Sequence, residues 1–486
     1  MRPTILLLGC LLLCPSFLRN VLAQDTVITG TYNKNKKPNV LLILVDDMSY
    51  NGISCFGNKP WKTPNIDRIA AKGMKLTSAY ASTVCSPTRA SIMTGKYPER
   101  LNITNWIPGG VERYKNPKLI EKPFQQFLPL QEVTIAEVLK KNGYETAQVG
   151  KWHLGQDLTS LPDKQGFDYQ YMIKQTNPST YFVEKDSMQI RGFYEDDAPG
   201  RQFLTDHLAD KAIEWLKQPK TKPWFMYFAT YAVHMPIAAK DTLVQKYLKR
   251  GLPAEGVDDA RYAGMHEHMD DAIGRLLDYL DLAGLTKNTI IVFLSDNGGR
   301  EPETNNTPFR GGKGELLEGG IRVPLIFEWD GKIASGTVND MPVAEYDLYP
   351  TLLDMVGVPQ SRNVKIDGVS IKNVLLHTGN RSDLQNRTFY WHYPHYTGKP
   401  YGKPSSAIRK GDWKLIYFFE DDSKELYNLK TDRSEKNNLI TKYPEKAREL
   451  YQDLDKWRKE VNARIPEKNL KYDPKLPSGW PKSLAE

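Results

Sequence analysis

The segment Asn39-Val40-Leu41-Leu42-Ile43-Leu44-Val45 constrains the fold of this chain more than any other. It is an unbroken apolar run rich in branched side chains, with no polar residue at alternate positions. A strand with one wet face alternates, so this one is expected to be covered on both faces. Such strands belong to sheets sandwiched between helices. Residues 144–149, 224–230, 289–294 and 323–328 read as further strands. The spacing predicts helices over 64–72 (Thr63 as N-cap), 87–94, 134–142 (closed by Gly143), 203–217, 259–283 and 346–356. The expectation is an α/β domain with a large, mostly parallel or mixed central sheet. Past about Asp383 the pattern changes. Residues 389–393, 405–410, 413–419 and 425–428 read as short strands, with Gly411-Asp412 at a hairpin turn. Residues 444–461 form a closing helix. We therefore expect a catalytic-sized domain over 36–382 and a smaller antiparallel sheet plus helix over 383–486.

The chain has 486 residues, four of them cysteines. Its first residues resemble an export signal: Arg2, an apolar stretch over 5–13, and Val21-Leu22-Ala23 as a small-residue cleavage site, giving a signal peptide over 1–23. Leu8-Gly9-Cys10 resembles a lipid-attachment box, but the apolar run before it is short, so anchoring ranks second to periplasmic or secreted export. No other stretch is long and apolar enough to span a bilayer. Cleavage would remove Cys10 and Cys14, leaving Cys55 and Cys85, so the core rather than disulfides must hold the fold. A net charge of +8 over this length does not argue for nucleic acid; it suits an anionic substrate but also a plain solvated surface.

The buried run ends in Asp46-Asp47, and the run 289–294 ends in Ser295-Asp296-Asn297-Gly298. Acids at the C-terminal ends of buried strands stand where an α/β sheet places ligand sites, although a turn cap is the plainer reading of each pair alone. Asp46, Asp47, Asp296 and Asn297 offer hard oxygen ligands, which suit Ca²⁺ better than zinc. Cys85 opens Cys85-Ser86-Pro87-Thr88-Arg89. No second Cys or His follows at metal-knuckle spacing, and there is no C-x-x-C pair. Further along lie Gly150-Lys151-Trp152-His153, His234-Met235-Pro236 and Arg310-Gly311-Gly312-Lys313-Gly314. Arg89, Lys151 and Lys313 offer cations; His153 and His234 can move protons near neutral pH.

These motifs, in this order, resemble the signature of type I sulfatases, which have the alkaline phosphatase-like fold. The resemblance runs on through Glu318-Gly319-Gly320 to the Trp413-Lys414-Leu415 hairpin, so it covers nearly the whole mature chain. It implies that a maturation enzyme oxidises Cys85 to Cα-formylglycine and that the modified residue joins Asp46, Asp47, Asp296 and Asn297 around Ca²⁺. It further implies that a hydroxyl of the hydrated aldehyde attacks sulfur, that Arg89 and Lys151 hold its oxygens, that His234 with Lys313 protonates the departing alcohol, and that His153 assists release of sulfate.

Thr104-Asn105-Trp106-Ile107-Pro108-Gly109 resembles bacterial sulfatases acting on galactose-type sugars of sulfated polysaccharides. Trp391-His392-Tyr393-Pro394-His395-Tyr396 can stack on a sugar face or pack at a domain interface. Asn105, Trp106, Arg310, His392 and His395 are the candidate sugar-binding residues. The expectation is an exported hydrolase of sulfate esters on a galactose- or N-acetylgalactosamine-type carbohydrate, with a sulfated oligo- or polysaccharide as partner. Two rivals stand beside it. One is a phosphate or phosphonate ester hydrolase of the same fold. The other is a catalytically dead sulfated-glycan binder, against which every motif residue is present.

Overall fold

The computed structural model describes residues 37–57, 60–109, 114–155, 157–172, 182–184, 201–360, 364–377, 382–397 and 402–479. The signal-peptide segment 1–23 lies outside the described residues. The Asn39–Val45 strand is fully buried, as its sequence requires. Val40, Leu42 and Leu44 enter one apolar cluster; Leu41, Ile43 and Val45 enter another on the opposite face. Helices Cys85–Thr94, Ile135–Lys141 and Leu348–Met355 cover the first face. Helices Pro64–Lys72, Leu204–Lys217 and Ala260–Leu282 cover the second.

Among the described residues the main sheet has nine strands. Along it run Thr337–Asn339, Met74–Tyr80, Arg322–Glu328, Thr289–Ser295, Asn39–Val45, Trp224–Ala229, Glu145–Gly150 and Tyr169–Tyr171, while Val343–Ala344 pairs with Met74–Tyr80 at the side. Asn39–Val45 is parallel to both Trp224–Ala229 and Thr289–Ser295. Glu145–Gly150 is parallel to Trp224–Ala229. The C-terminal ends of these strands therefore share one edge. Arg322–Glu328 is antiparallel to both its neighbours. It begins at that same edge, directly after the loops that follow Ser295, so it needs no crossover helix to turn back.

One strand goes beyond the sequence reading and two local expectations are corrected. Met74–Tyr80, of sequence Met-Lys-Leu-Thr-Ser-Ala-Tyr, is a strand that the apolar pattern did not reveal, because Lys75 and Thr77 sit where it is only half covered. The helix expected over 87–94 starts at Cys85, not Pro87. Proline in a first turn is tolerated there, since first-turn N–H groups have no intrahelical partner. Thr63 does not cap its helix through its side chain. Its hydroxyl accepts the Ser54 N–H at 2.8 Å instead.

The C-terminal strands Thr388–Tyr393, Ser405–Lys410, Trp413–Phe418 and Lys424–Asn428 form an antiparallel sheet in sequence order. The Pro444–Glu460 helix packs Leu450, Leu454 and Trp457 on it. The same cluster takes in Val84, Leu316, Leu317 and Ile321, so the small sheet supports the loops around Cys85 and Lys313 directly.

Candidate active site

Six chain segments converge at the C-terminal edge of the main sheet. Parallel pairing puts Asp46 and Asp296 at the ends of adjacent strands, and the Asp296 N–H donates to the Val45 carbonyl at 3.0 Å. Asp47 has φ +58°, a left-handed conformation that non-glycine residues adopt at a cost and that clusters at functional sites. Its N–H donates to Asp296 Oδ1 at 3.1 Å. Gly150 ends its strand with φ +104°, and a Cβ there would meet the Ala229 carbonyl oxygen at 1.8 Å. Only glycine allows the close pairing that delivers Lys151. Gly298 has the same role after Asn297, with the Gly319 carbonyl oxygen 1.8 Å from any Cβ.

Cys85 is buried, and its Sγ lies 3.4 Å from Asp46 Oδ1 and 3.8 Å from Asp47 Oδ1. Lys151 Nζ reaches Asp46 Oδ2 at 2.5 Å. Lys313 Nζ reaches Asp47 at 2.7 Å. Arg89 is buried with its Nη2 2.7 Å from Asp296 and 3.6 Å from Asp46, while its Nη1 donates to the Lys151 carbonyl at 3.0 Å. His234 Nε2 stands 3.6 Å from Asp47 Oδ2, and its Nδ1 is fixed by the Met235 carbonyl at 2.6 Å. His153, another left-handed residue at φ +60°, turns its Nε2 to the Ile107 carbonyl at 2.6 Å. All catalytic and metal candidates read from the sequence are thus brought together or to the rim of one cluster.

Burial dominates the electrostatics. It pushes the Cys85 thiol well up, against the pull of Lys151 and Lys313, so this thiol is not a thiolate near neutral pH. Burial also pushes Asp296 up to about 6, helped by Asp46. Asp47 moves the other way: Lys313 foremost, then His234 and Lys151, outweigh its burial and hold it well below the usual carboxylate range. Burial carries His234 down to about 3 and lowers His153 as well.

Asp46, Asp47, Cys85 and Asp296 each place a ligand atom within 4.8 Å of the others, all buried. Asn297 donates its amide to Asp47 Oδ1 at 2.8 Å, which leaves its Oδ1 buried without a hydrogen-bond partner among the described residues. An orphaned carbonyl oxygen beside three carboxylates fits a hard, oxygen-seeking cation such as Ca²⁺.

The substrate candidates divide. Asn105 is buried beside the site, and its Oδ1 accepts from the Trp106 N–H and from the Tyr393 hydroxyl at 3.0 Å. Trp106 is half-buried. Arg310 is turned to the small sheet, pairing with Glu425 at 3.2 Å and with the Glu435 carbonyl. His392 and His395 correct the sequence reading. His392 is buried with one ring nitrogen on Ser406 and the other on the Arg464 carbonyl. His395 is buried between Thr104 and Glu121. Of the two readings of that aromatic run, interface packing is the one these contacts describe. Tyr393 was missed as an individual residue: its buried, neutral phenol holds Asn105 from 288 positions away, a pairing without local signal. Tyr227, which backs Arg89 at 3.4 Å, was missed for the same reason.

A family model described as Sulfatase matches residues 38–358. The chain belongs to the sulfatase family. It is a sulfuric ester hydrolase with an α/β fold. A second model, described as the C-terminal part of N-sulphoglucosamine sulphohydrolase, matches residues 312–462. A protein named "Sulfatase" from Formosa agariphila is 32% identical over 84% of this chain and 86% of its own length. The N-acetylgalactosamine-6-sulfatase of Mus musculus is 29% identical over 81% and 75%. The crystal structure of Ps i-CgsB in complex with k-i-k-neocarrahexaose superposes with a TM-score of 0.73 at 29% identity, covering 87% of this chain and 93% of that one.

Proposed function

We propose that this sulfatase is exported and hydrolyses sulfate esters on a galactose- or N-acetylgalactosamine-type carbohydrate, using formylglycine made from Cys85 and a bound Ca²⁺. The observation that carries the reading is the buried cluster in which one thiol faces Asp46 and Asp47 while Arg89, Lys151 and Lys313 ring the same carboxylates. A raised, buried thiol is a poor nucleophile, so its placement makes sense for a residue converted to something else. The hydrated aldehyde supplies a hydroxyl nucleophile, and Ca²⁺ supplies charge that polarises a sulfuryl oxygen.

The chain's own side chains do the rest. Lys151 and Arg89, held rigidly on Asp46 and Asp296, orient the reacting residue and offset negative charge on the sulfuryl group. Lys313 and His234 share Asp47 and are assigned the proton that goes to the departing sugar oxygen. His153, whose Nδ1 is buried without a hydrogen-bond partner among the described residues, is assigned the proton taken up as sulfate leaves. Asn105, held by the Tyr393 hydroxyl, and Trp106 are assigned to sugar binding. The names of the mouse and carrageenan-oligosaccharide proteins support a carbohydrate substrate.

The test is sulfate release by protein co-produced with a formylglycine-generating enzyme. It should be run on galactose and N-acetylgalactosamine sulfates, their oligosaccharides, and matched phosphate esters. Release from the sulfated sugars supports the reading. Turnover of the phosphate esters alone, with the aldehyde at Cys85 confirmed by mass spectrometry, overturns it.

A further inference from the structure

One open cavity adjoins the catalytic residues, with a volume of about 310 Å³. Its size falls at the lower end of small-molecule pockets, roughly 300–1,000 Å³. Met235, Pro236 and Ile237, which directly follow His234, form one wall; Val257 and Tyr262 form another; Pro302 and Glu303 close the third side. A thin gap lined by Asp47, Met235, Ile237, Tyr262, Arg300 and Glu303, too narrow to hold a water, lies between this cavity and the Asp47 carboxylate. Met235, the neighbour of His234, belongs to both linings, so the cavity lies beside the group that His234 faces.

The lining is apolar with a few polar atoms, as a sugar ring requires: flat carbon faces for the ring, acceptors and donors for its hydroxyls. The charges are arranged against a second anion. Asp259 and Glu303 both line the cavity, and each holds an arginine that a second anion would need: Arg261 pairs with Asp259 at 2.8 Å. Glu303 pairs through Oε1 with Arg300. Its Oε2 is buried without a hydrogen-bond partner among the described residues. A carboxylate oxygen with unused lone pairs accepts from a hydroxyl and repels a sulfate or uronate.

We propose that this cavity is a subsite for the neutral sugar unit joined to the sulfated one, so the preferred substrate carries its sulfate next to an unsulfated, non-uronic neighbour. The inference rests on the carbohydrate-sulfatase reading above. It makes Glu303 a hydroxyl acceptor and Val257, an exposed loop residue, a wall of the subsite.

The experiment compares kcat/KM on three compounds: the sulfated monosaccharide, the same unit extended by a neutral sugar, and the same unit extended by a sulfated sugar. Neutral extension should raise kcat/KM at least tenfold, and sulfated extension should not. Val257→Trp fills the cavity from an exposed position without touching the core, and should erase the gain. Glu303→Gln keeps the shape while removing the charge, and should narrow the preference for the neutral over the sulfated extension. No gain from neutral extension, a preference for the sulfated extension, or a gain that survives Val257→Trp overturns the proposal. Absence of sulfate release from all three compounds, with Cys85 converted, instead refutes the carbohydrate-sulfatase reading.

Discussion

Replacing Lys414 by methionine should destabilise the whole protein although Lys414 touches no catalytic residue. The side chain is fully buried, with Nζ 2.9 Å from Glu318 and 2.9 Å from Glu435. Glu318 also takes the Tyr80 hydroxyl at 2.8 Å and Arg322 at 3.1 Å, and Glu435 accepts the Glu318 N–H at 2.6 Å. Lys414, Arg322 and Arg409 outweigh burial and hold the Glu318 carboxyl down to about 2, while burial pushes Glu435 up. Methionine fills a similar volume without the charge, leaving Glu435 without its lysine. Removing one partner of a buried pair costs about 3–5 kcal/mol. Glu318's depressed carboxyl contributes stability that is present above its unfolded value of 4.5 and lost as pH falls toward 2. The gap between variant and wild type should therefore be full at neutral pH and close in acid. Urea unfolding at pH 7 and pH 3 measures it. Adding Glu435→Gln removes the stranded carboxylate, so the double variant should recover at least about 1 kcal/mol of the single variant's loss by the logic of a mutant cycle. A neutral-pH loss under about 1 kcal/mol, or strictly additive single effects, would refute the account.

Further outcomes follow from the same geometry. Cys85→Ala should abolish sulfate release while leaving the melting temperature within a few degrees of wild type; turnover at a wild-type rate would remove Cys85 from the chemistry. Asp296→Ala should lower both the rate and the Ca²⁺ content read by elemental analysis, because it strips one carboxylate from the ligand set and the partner from Arg89. Asp270 accepts the N–H groups of Asn65 and Ile66 at the start of the Pro64–Lys72 helix, at 3.0 and 2.8 Å. Asp270→Ala should cost about 1–2 kcal/mol as a lost cap, measured by denaturant unfolding.

How much of this was legible in the sequence depends on the range of the interaction. The Asn39–Val45 run told its own burial, because covering a strand on both faces leaves a local mark in composition. Asp46, Asp47, Lys151 and Asp296 were legible because each follows a strand by one or two residues, and parallel strands deliver their C-terminal ends to one edge. The Met74–Tyr80 strand left a weaker mark, since half-covered positions accept lysine and threonine. The antiparallel direction of Arg322–Glu328 left none, because it is decided by the length of the loop before it rather than by its own residues. His392 and His395 show the limit from the other side: imidazole beside aromatic rings has the composition of a sugar platform, yet their partners Ser406, Arg464, Thr104 and Glu121 come from other segments and turn both rings inward.

The charge arithmetic of the site predicts how folding and metal binding relate. Three carboxylates, Asp46, Asp47 and Asp296, each have a cation of the chain within 2.7 Å: Lys151, Lys313 and Arg89. Like-charge repulsion among the acids, which would otherwise favour protonation or unfolding, is already offset by the protein. Folding should therefore not require Ca²⁺, unlike small domains whose metal supplies the folding energy. A divalent cation added to this balanced set would leave the cluster positive, which is the sign needed to bind a sulfate monoester. Chelation should remove activity while far-ultraviolet circular dichroism stays native. The unfolding free energy should fall only by the amount that mass action on one site allows, about 3–4 kcal/mol at a hundred- to thousandfold ligand excess over the dissociation constant. Loss of native circular dichroism on chelation at room temperature would show instead that the three ion pairs do not suffice to hold the acids together.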